Sequence, residues 1–539
     1  MSGPDLLDRR RWLTAGLLAA AASPLGALPA GDAAGPDLST ARATIPGATA
    51  PIVLSEALKE RCSLRAFGAK LDGTTDDGPA VARAVAFARA NNVPVFHPGG
   101  PCLLAGAEPE IDTAGVAFGG IGLGDFNYPY GHSGSQFWIT DRRRSPFRLG
   151  GGASFDGLVF FWPDQLDQEG APLAYPPLFT AAPNGEAADI TFRNCQVTNA
   201  FDFLAVTAPG SVAGNIFIAN CRIFALRNCF ALTNVPDVLM LDNNLFSWGV
   251  YQSEVSHPAD SPRAGGKFRL REYFADQGCW CLITGDGTPA KVSSRGAGGT
   301  VMATNNYVFG CRWGVLVQGG TCALMRLTST HFDGVATVVQ VDPGGTLIAV
   351  QLLGSLLYAY HAGSTRAALP AFVVRDPSPD QNGGPICQLT AADCEVGFAQ
   401  GAIFDIAGTN VAEVKIAGCK LTRHANTTVP GLYHALRIAA PNAKLTFANN
   451  DIAPASRLGS GLRIEAVKWA SITGNTFDAC VTPVDLAAPH GRVLLSANFS
   501  SGTLGPLAVA HTGGAQVLDA ANAWDKPGPG TQAAPRGSP

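Results

Sequence analysis

Side chains that could do chemistry are concentrated between Asn244 and Asn306. Only 15% of the chain is charged, yet this segment carries carboxylates, cations, a histidine and aromatic rings in close succession. Lysine, histidine or tyrosine can remove a proton, arginine can stabilise the negative charge that results, and two carboxylates can hydrolyse a glycosidic bond. The segment is therefore the first candidate for a catalytic site. The residues selected from it are Trp248, Tyr251, His257, Lys267, Arg271 and Glu272.

Other candidates occupy one common position in a sequence repeat, just after its second short strand. We predict that they form a groove with the segment above, in which aromatic faces stack on sugar rings while arginine and aspartate bind hydroxyls or uronates. The alternative is that polar residues collect at a solvated corner by default. The predicted catalytic residues are Lys267, Arg271, Asp202, Glu272 and His257. The predicted substrate-binding residues are Trp248, Tyr251, Arg227, Trp313, Arg312 and Tyr360.

The repeat consists of a short alternating strand followed by an Asn or Gly turn. Asn194 and Asn220 are 26 residues apart, Asn450 and Asn475 are 25 apart, and Asn475 and Asn498 are 23 apart. This spacing is typical of one coil of a parallel β-helix. We expect six asparagines to share one turn, because Asn tolerates a left-handed backbone and can form hydrogen-bonded stacks. The six are Asn194, Asn220, Asn306, Asn450, Asn475 and Asn498.

The spacing between anchors also shows where coils are interrupted. Asn244 and Asn306 are 62 residues apart, whereas one coil needs about 24. Smaller insertions follow Gly354 and Leu421. Aligned on the asparagines, all three insertions fall at the bend between the second and third strands, so this corner is where function is expected.

The stretch from Phe67 to Phe96 reads FGAKLDGTTDDGPAV, a helical run, and then Val-Pro-Val-Phe. It resembles the N-terminal motif of the pectate-lyase-like superfamily, which includes rhamnogalacturonases, polysaccharide lyases, epimerases and phage tailspikes. The resemblance implies an all-β fold, a single-stranded right-handed parallel β-helix with an N-terminal capping helix. Asp76 or Asp77 can cap that helix, whose small apolar residues recur at helical spacing. The HPGGPC sequence from His97 departs from the usual family wording.

Two chemistries compete in the predicted groove. The polygalacturonase signature and the pectate-lyase Arg-x-Pro-x-x-Arg motif are both missing from the sequence, so no catalytic residue is carried over from either family. We expect cleavage of an acidic or complex polysaccharide by β-elimination, with hydrolysis as the competing mechanism. No metal ligand is predicted, although Ca²⁺ could assist a lyase. The rival interpretation is a non-catalytic surface or envelope protein that binds glycan or forms a homotrimer.

Composition limits the other classes of function. A formal net charge of -4 argues against a nucleic-acid partner, and no apolar run after residue 40 is long enough to span a membrane. Arg9, Arg10 and Arg11 precede an Ala-rich apolar segment, which is typical of twin-arginine export to the periplasm or beyond. The predicted boundaries are a signal at 1–34, a flexible lead-in at 35–51, an N-terminal cap at 52–115, a β-helix at 116–524 and a disordered tail at 525–539.

Thirteen cysteines in an exported chain usually indicate disulfides. Cys195 with Cys221, and Cys394 with Cys419, recur at the same repeat position, so we expect these four to be small buried side chains stacked from coil to coil. Cys62 and Cys102 flank the N-terminal motif and are the pair that could be bridged.

Overall fold

The computed structural model describes sixteen ranges of the chain, fourteen of which lie after residue 61. These are 42–43, 52–53, 62–106, 110–122, 134–167, 172–233, 237–247, 270–285, 299–359, 369–379, 384–399, 402–423, 434–454, 460–487, 491–511 and 516–526. Two compact units are distinguished, 1–60 and 61–539. In the first, β1 (Arg42–Ala43) pairs antiparallel with β2 (Ile52–Val53). No helix in the described ranges is long and apolar enough to cross a membrane.

The second unit is a parallel β-helix, which confirms the fold expected from the repeat and the family resemblance. Its 40 strands form one continuous network in which every named strand pairing is parallel. Each coil visits three faces in the same order, here called sheets I, II and III. Parallel crossovers of L-amino-acid chains are almost always right-handed, so the coil takes that hand.

The strands divide among the three sheets as follows. Sheet I contains β3 (Cys62–Ser63), β4 (Val95–Phe96), β7 (Ala117–Gly119), β10 (Ser154–Asp156), β13 (Glu186–Arg193), β15 (Val212–Ala219), β17 (Val238–Asp242), β20 (Thr300–Thr304), β23 (Thr321–Thr328), β26 (Thr346–Leu353), β29 (Cys387–Ala392), β32 (Val411–Ala417), β39 (Arg492–Ser496) and β42 (Gln516–Ala520). Sheet II contains β5 (Gly100–Leu104), β8 (Ser135–Ile139), β11 (Val159–Phe161), β18 (Leu245–Ser247), β21 (Tyr307–Phe309), β24 (His331–Asp333), β27 (Leu356–Tyr358), β30 (Glu395–Ala399), β33 (Lys420–Arg423), β35 (Asp451–Pro454), β37 (Thr476–Asp478) and β40 (Phe499–Ser501). Sheet III contains β6 (Ile111–Asp112), β9 (Phe147–Leu149), β12 (Phe179–Ala181), β19 (Cys279–Thr284), β22 (Trp313–Gln318), β25 (Thr337–Val341), β28 (Phe372–Arg375), β31 (Phe404–Ala407), β38 (Val484–Leu486) and β41 (Val509–His511).

Four long strands run round a corner and belong to two sheets. Two pass from sheet II to sheet III, β14 (Gln196–Val206) and β16 (Arg222–Thr233). The other two pass from sheet III to sheet I, β34 (His434–Ala448) and β36 (Ser460–Thr473). The core runs through the interior of the coils, where stacked rings such as Phe118, Phe155 and Phe192 continue from one coil to the next. No single coil could bury these side chains alone.

The helices described in this unit are α1 (Gly78–Asn91) and α2 (Leu270–Gln277), and described 3-10 turns span Leu64–Phe67 and Pro163–Asp167. The predicted small face of α1 is confirmed, since Ala80, Val81, Ala84, Val85 and Ala88 are all buried. That the helix caps the open end of the β-helix stays a prediction.

The aspartates before α1 act differently from what was expected of a helix cap. Asp77 occupies the N-cap position but makes no capping hydrogen bond. Its buried carboxylate instead accepts hydrogen bonds from the backbone N–H groups of Lys70, at 2.7 Å, and Leu71, at 2.9 Å. Asp76 accepts a bond from the Gly78 N–H at 3.0 Å. The motif therefore fixes the loop that leads into the helix.

The six asparagines share the turn from sheet I to sheet II, as expected, but they occupy two adjacent positions in it. Asn194 and Asn220 occupy the first position, with φ of 50° and 54°, where the left-handed backbone favours Asn. The other four asparagines of the predicted set, together with Asn244, occupy the next position. There they are buried and join in hydrogen-bonded runs, here called the Asn ladder: Asn244, Asn306, Asn450, Asn475 and Asn498.

The stacked cysteines occupy the same second position, as predicted. The backbone N–H of Cys221 donates to the side-chain oxygen of Asn244 at 2.8 Å, and that of Cys419 donates to Asn450 at 2.9 Å. All thirteen cysteines are buried free thiols, so the bridge considered for Cys62 and Cys102 is wrong. Burial raises the pKa of Cys62 to about 11, which keeps this thiol protonated and unreactive at neutral pH.

Candidate functional site

The bend between sheets II and III is where the coils are interrupted. In β14 the strand continues round the bend, with shifts of register between Thr198 and Asp202. Apart from β14 and β16, the two strands are separated, most widely between Ser247, which ends β18, and Cys279, which begins β19. The separations between β27 and β28 and between β33 and β34 lie at the same bend. The prediction that the three insertions share one corner is therefore confirmed.

A row of side chains follows this bend through five successive coils. We call it the corner row: Asp202, Asn228, Cys279, Trp313 and Thr337, which pair in register. Since neighbouring strands lie about 4.8 Å apart, the row is about 19 Å long. Three of the predicted site residues, Asp202, Arg227 and Trp313, thus lie in or beside one row, and Arg312 directly precedes Trp313.

Asp202 and Arg227 form a forked ion pair at the start of the row. The Arg227 Nε donates to Oδ1 of Asp202 at 2.9 Å, and its Nη2 donates to Oδ2. Oδ1 also accepts bonds from the backbone N–H and side-chain amide of Asn228, both at 3.0 Å. The Asp202 side chain is 2% exposed and that of Arg227 is 44% exposed. A buried carboxylate thus orients a guanidinium whose other face reaches solvent.

Aromatic rings flank both arginines. The guanidinium carbon of Arg227 lies 4.4 Å from the centre of the Phe201 ring, and that of Arg312 lies 4.4 Å from the Trp313 ring. The ring centre of Tyr273, on α2, lies 6.5 Å from that of Phe201. Burial raises the pKa of Tyr273, against the opposing effect of the nearby Arg227 charge. The phenol is therefore protonated at neutral pH and able to donate a proton.

The chain beyond Trp313 continues this polar surface. The indole N–H of Trp313 donates to Oε1 of Gln340 at 3.0 Å, and the Gln340 amide donates to Asp342 at 2.7 Å. Arg312 donates to the backbone carbonyl of Asp276 at 3.3 Å, which ties α2 to the row. Four of the five members of the corner row are buried, so an extended ligand at this bend would meet the exposed or partly exposed side chains of Arg227, Tyr273, Arg312 and Trp313.

Several predicted site residues lie outside the described parts of the structure. These are Trp248, Tyr251, His257, Lys267 and Tyr360. For Arg271 and Glu272 only the backbone, in the first turn of α2, is described. Their assigned roles stay predictions. Within the described residues, no group of three or more His, Cys, Asp or Glu side chains is arranged to hold a metal ion.

A second polar line, on the outer face of sheet III, was missed by sequence reasoning. We call it the charge ladder: Arg375, Asp405, Arg437, Glu465, Arg463 and Asp485. Arg437 bonds Asp405 at 2.9 Å and Glu465 at 2.7 Å, and thereby joins successive coils. The signal in the sequence was a charged residue between two apolar ones, as in Phe404-Asp-Ile, Leu436-Arg-Ile and Val484-Asp-Leu.

The charge ladder should make folding stability depend on pH. Burial alone would raise the pKa of Asp405, but bonds and charge from Arg375 and Arg437 outweigh it and lower the pKa. A lowered folded-state pKa contributes stability above the ordinary carboxyl pKa of about 4, and this contribution is lost as the pH falls. We expect Asp405→Asn to cost about 1 to 2 kcal/mol of unfolding free energy at pH 7 and less at pH 3. Urea unfolding at both pH values, with the outward Asp242→Asn of β17 as control, checks this; parallel pH curves for wild type and Asp405→Asn would contradict it.

Comparisons with known proteins give structural likenesses only. No family model matches the chain, and no curated protein matches it. Similar solved structures include the catalytic unit of an α-1,3-glucanase from Streptomyces thermodiastaticus, with 12% identity, a TM-score of 0.38, and coverage of 86% of this chain and 69% of that chain. Another is PfbA, a surface adhesin of Streptococcus pneumoniae, with 13% identity, a TM-score of 0.36, and coverage of 87% and 92%. A third is the A-module of an Azotobacter vinelandii mannuronan C-5 epimerase, with 12% identity, a TM-score of 0.28, and coverage of 86% and 99%. Likenesses this distant assign no function.

Proposed function

We propose that this protein is exported and binds an acidic or complex polysaccharide along the corner row, where it cleaves the polymer by β-elimination. The observation that carries the proposal is the Asp202–Arg227 pair, which holds a half-exposed guanidinium beside aromatic rings at the interrupted corner. Export rests on the arginines at positions 9 to 11 and the apolar segment after them.

Arg227 is the proposed carboxylate-binding residue. A guanidinium is charged at every physiological pH and presents its donors in a planar fork that suits carboxylates. Hydrogen bonding to Asp202 raises the pKa of Arg227 further. In β-elimination, charge builds up on the uronate carboxylate when the adjacent carbon loses its proton. A fixed cation at that point stabilises the charge in the transition state more than in the ground state.

Tyr273 is the proposed proton donor. A base removes the proton at C5 of the uronate, the C5–H electron pair forms the C4=C5 double bond, and the C4–O bond breaks. The departing glycosidic oxygen keeps that bond's electron pair and takes a proton from the Tyr273 hydroxyl. The base is sought in the segment 248–269, where Lys267 and His257 are the candidates. Because Arg227 supplies positive charge, Ca²⁺ is proposed only as an additional aid.

A non-catalytic glycan-binding protein is the second candidate function. The observation that favours it is the environment of Asp202, whose Oδ1 accepts three hydrogen bonds and whose Oδ2 pairs with Arg227. A carboxylate so occupied positions its partner and has little capacity to transfer protons. Asp202 is therefore proposed as a positioning residue, and its earlier assignment as a catalytic one is replaced.

Parallel product assays on polygalacturonate and alginate test the proposed function. Each elimination creates one reducing end and one unsaturated end, so ultraviolet absorbance and reducing-end colour should rise in equal molar amounts. We expect Tyr273→Phe to slow both by about a hundredfold or more, since general acid catalysis contributes about that much. Tyr175→Phe, which removes a hydroxyl that bonds Asp164 outside the proposed site, is the control and should keep its rate. Reducing ends without unsaturation would indicate hydrolysis, and neither signal would indicate the non-catalytic alternative.

A further inference from the structure

Five aromatic and polar side chains form a cluster on the outer face of sheet II. We call it the sheet II cluster: Tyr307, Phe309, His331, Asp333 and Tyr358. They occupy the outward positions of β21, β24 and β27, which are three successive coils in register. The residues between them, Val308, Phe332 and Leu357, point inward and are fully buried. Phe309 also packs against the core, and every member of the cluster is partly exposed.

The cluster is ordered by contacts among its own members. The His331 ring lies edge-on between two tyrosines, with centroids 4.6 Å from Tyr307 and 5.4 Å from Tyr358. The Tyr307 hydroxyl donates to Oδ2 of Asp333 at 2.6 Å, and its ring stacks on Phe309 at 6.2 Å. Within the described structure, Nε2 of His331 has no hydrogen-bond partner. Burial lowers the pKa of His331, so its ring is neutral at neutral pH.

This combination matches what a sugar ring requires. The C–H face of a pyranose packs on aromatic rings, while its hydroxyls both donate and accept hydrogen bonds. Asp333 can accept such a bond. None of these contacts needs a charge on the sugar. The chemistry of the cluster therefore suits neutral sugar residues as well as uronates.

The cluster also lies close to the corner row along the chain. Phe309 precedes Arg312 by three residues and Trp313 by four, within the same coil. Asp333 precedes Thr337, the last member of the corner row, by four residues in the next coil. A polymer bound along the row would thus have the cluster on the adjoining face of the same coils.

We propose that the sheet II cluster is a second sugar-binding subsite, which stacks a pyranose ring of the polysaccharide on its aromatic side chains and bonds a hydroxyl through Asp333. The inference rests on the proposed glycan-directed function. It assigns recognition of uncharged sugar surface to sheet II, while recognition of carboxylates belongs to Arg227.

Affinity electrophoresis through gels containing galactomannan, a mixed-linkage β-glucan, polygalacturonate or alginate tests the subsite. We expect at least one polymer to retard the wild-type protein. The retardation should persist at 0.5 M salt, because salt screens interactions between charges but not stacking on aromatic rings. Charges are screened beyond about 10 Å already at 0.1 M salt. Tyr358→Ala and Phe309→Ala should each weaken binding at least fivefold, while the ring-preserving Tyr358→Phe should stay within twofold of wild type. Phe499→Ala removes an exposed ring from the same sheet and serves as the matched control.

The outcomes separate this inference from the proposed function. Loss of Arg227 should weaken binding to the two polyuronates at low salt and leave neutral polymers unaffected, whereas loss of Tyr358 should weaken both classes at either salt concentration. The subsite is overturned if no polymer retards the wild-type protein. It is also overturned if Tyr358→Ala and Phe309→Ala, folded by circular dichroism, migrate like Phe499→Ala. In that case, weaker binding of polyuronates by a variant that lacks Arg227 would still support the corner row as a binding surface.

Discussion

Replacing Asn475 by Ala is expected to lower the free energy of unfolding by about 3 to 5 kcal/mol. Asn475 is 1% exposed. Its side-chain oxygen accepts bonds from the backbone and side-chain N–H groups of Asn450, at 2.9 and 3.0 Å. Its amide donates to the Phe447 carbonyl and to Asn498, both at 2.9 Å. Alanine would remove all four of these buried hydrogen bonds.

The neighbouring turn position provides the control for this prediction. Asn449 has φ of 54°, and Gly adopts that conformation without strain, so Asn449→Gly should change stability by less than about 1 kcal/mol. Urea unfolding followed by circular dichroism measures both variants. Equal losses for Asn475→Ala and Asn449→Gly would contradict the view that the Asn ladder, and not the left-handed turn, carries the stability of this edge.

The Arg227→Ala substitution is expected to lower the free energy of unfolding by about 2 to 3 kcal/mol, because it leaves the Asp202 carboxylate without its partner. Asp202 is nearly inaccessible to water, and a buried charge without its partner is costly. The expected loss is small for a broken buried ion pair because the Arg227 side chain is 44% exposed. The double variant Asp202→Asn/Arg227→Ala should recover most of the loss, since the amide keeps the shape of the carboxylate but carries no charge.

Function and stability should separate in the same pair of variants. The double variant regains stability but lacks the guanidinium, so its binding to polygalacturonate should remain as weak as that of Arg227→Ala. Arg326→Ala, an outward arginine of sheet I that bonds Gln351, is the control and should lose less than about 1 kcal/mol. Restored binding in the double variant would mean that Arg227 has only a structural role.

The repeat could be predicted from the sequence, but the exact position of the left-handed turn residue within each coil could not. Asn and Gly recur at coil spacing, and this revealed the coils and their order. Where two asparagines are adjacent, as at Asn243 and Asn244, either could be the turn residue. The structure shows that the first takes the left-handed backbone and the second is buried in the ladder. Burial separates the two positions, and residue type alone does not.

The corner was predictable for a similar reason. Chain connectivity places every insertion between the same two strands, so Asp202, Arg227 and Trp313 could be aligned by counting residues. Distances between coils could not be obtained this way, and the occupied state of Asp202 depends on Arg227 one coil later. The charge ladder was missed because Asp405, Arg437 and Arg463 lie within strands that otherwise read as core. Their partners in neighbouring coils are 22 to 32 residues away in the sequence.

Hydrogen–deuterium exchange with and without polygalacturonate oligosaccharides tests most directly whether the corner row is the glycan-binding surface. Exchange should slow in residues 199–206, 226–232, 273–284 and 312–318, which contain four of the five members of the row and its flanking rings. The sheet I strands β20, β23 and β26 should exchange at the same rate with and without the ligand. The Arg227→Ala variant should show little protection at the corner. Protection confined to sheet I, or none anywhere at saturating oligosaccharide, would contradict the account.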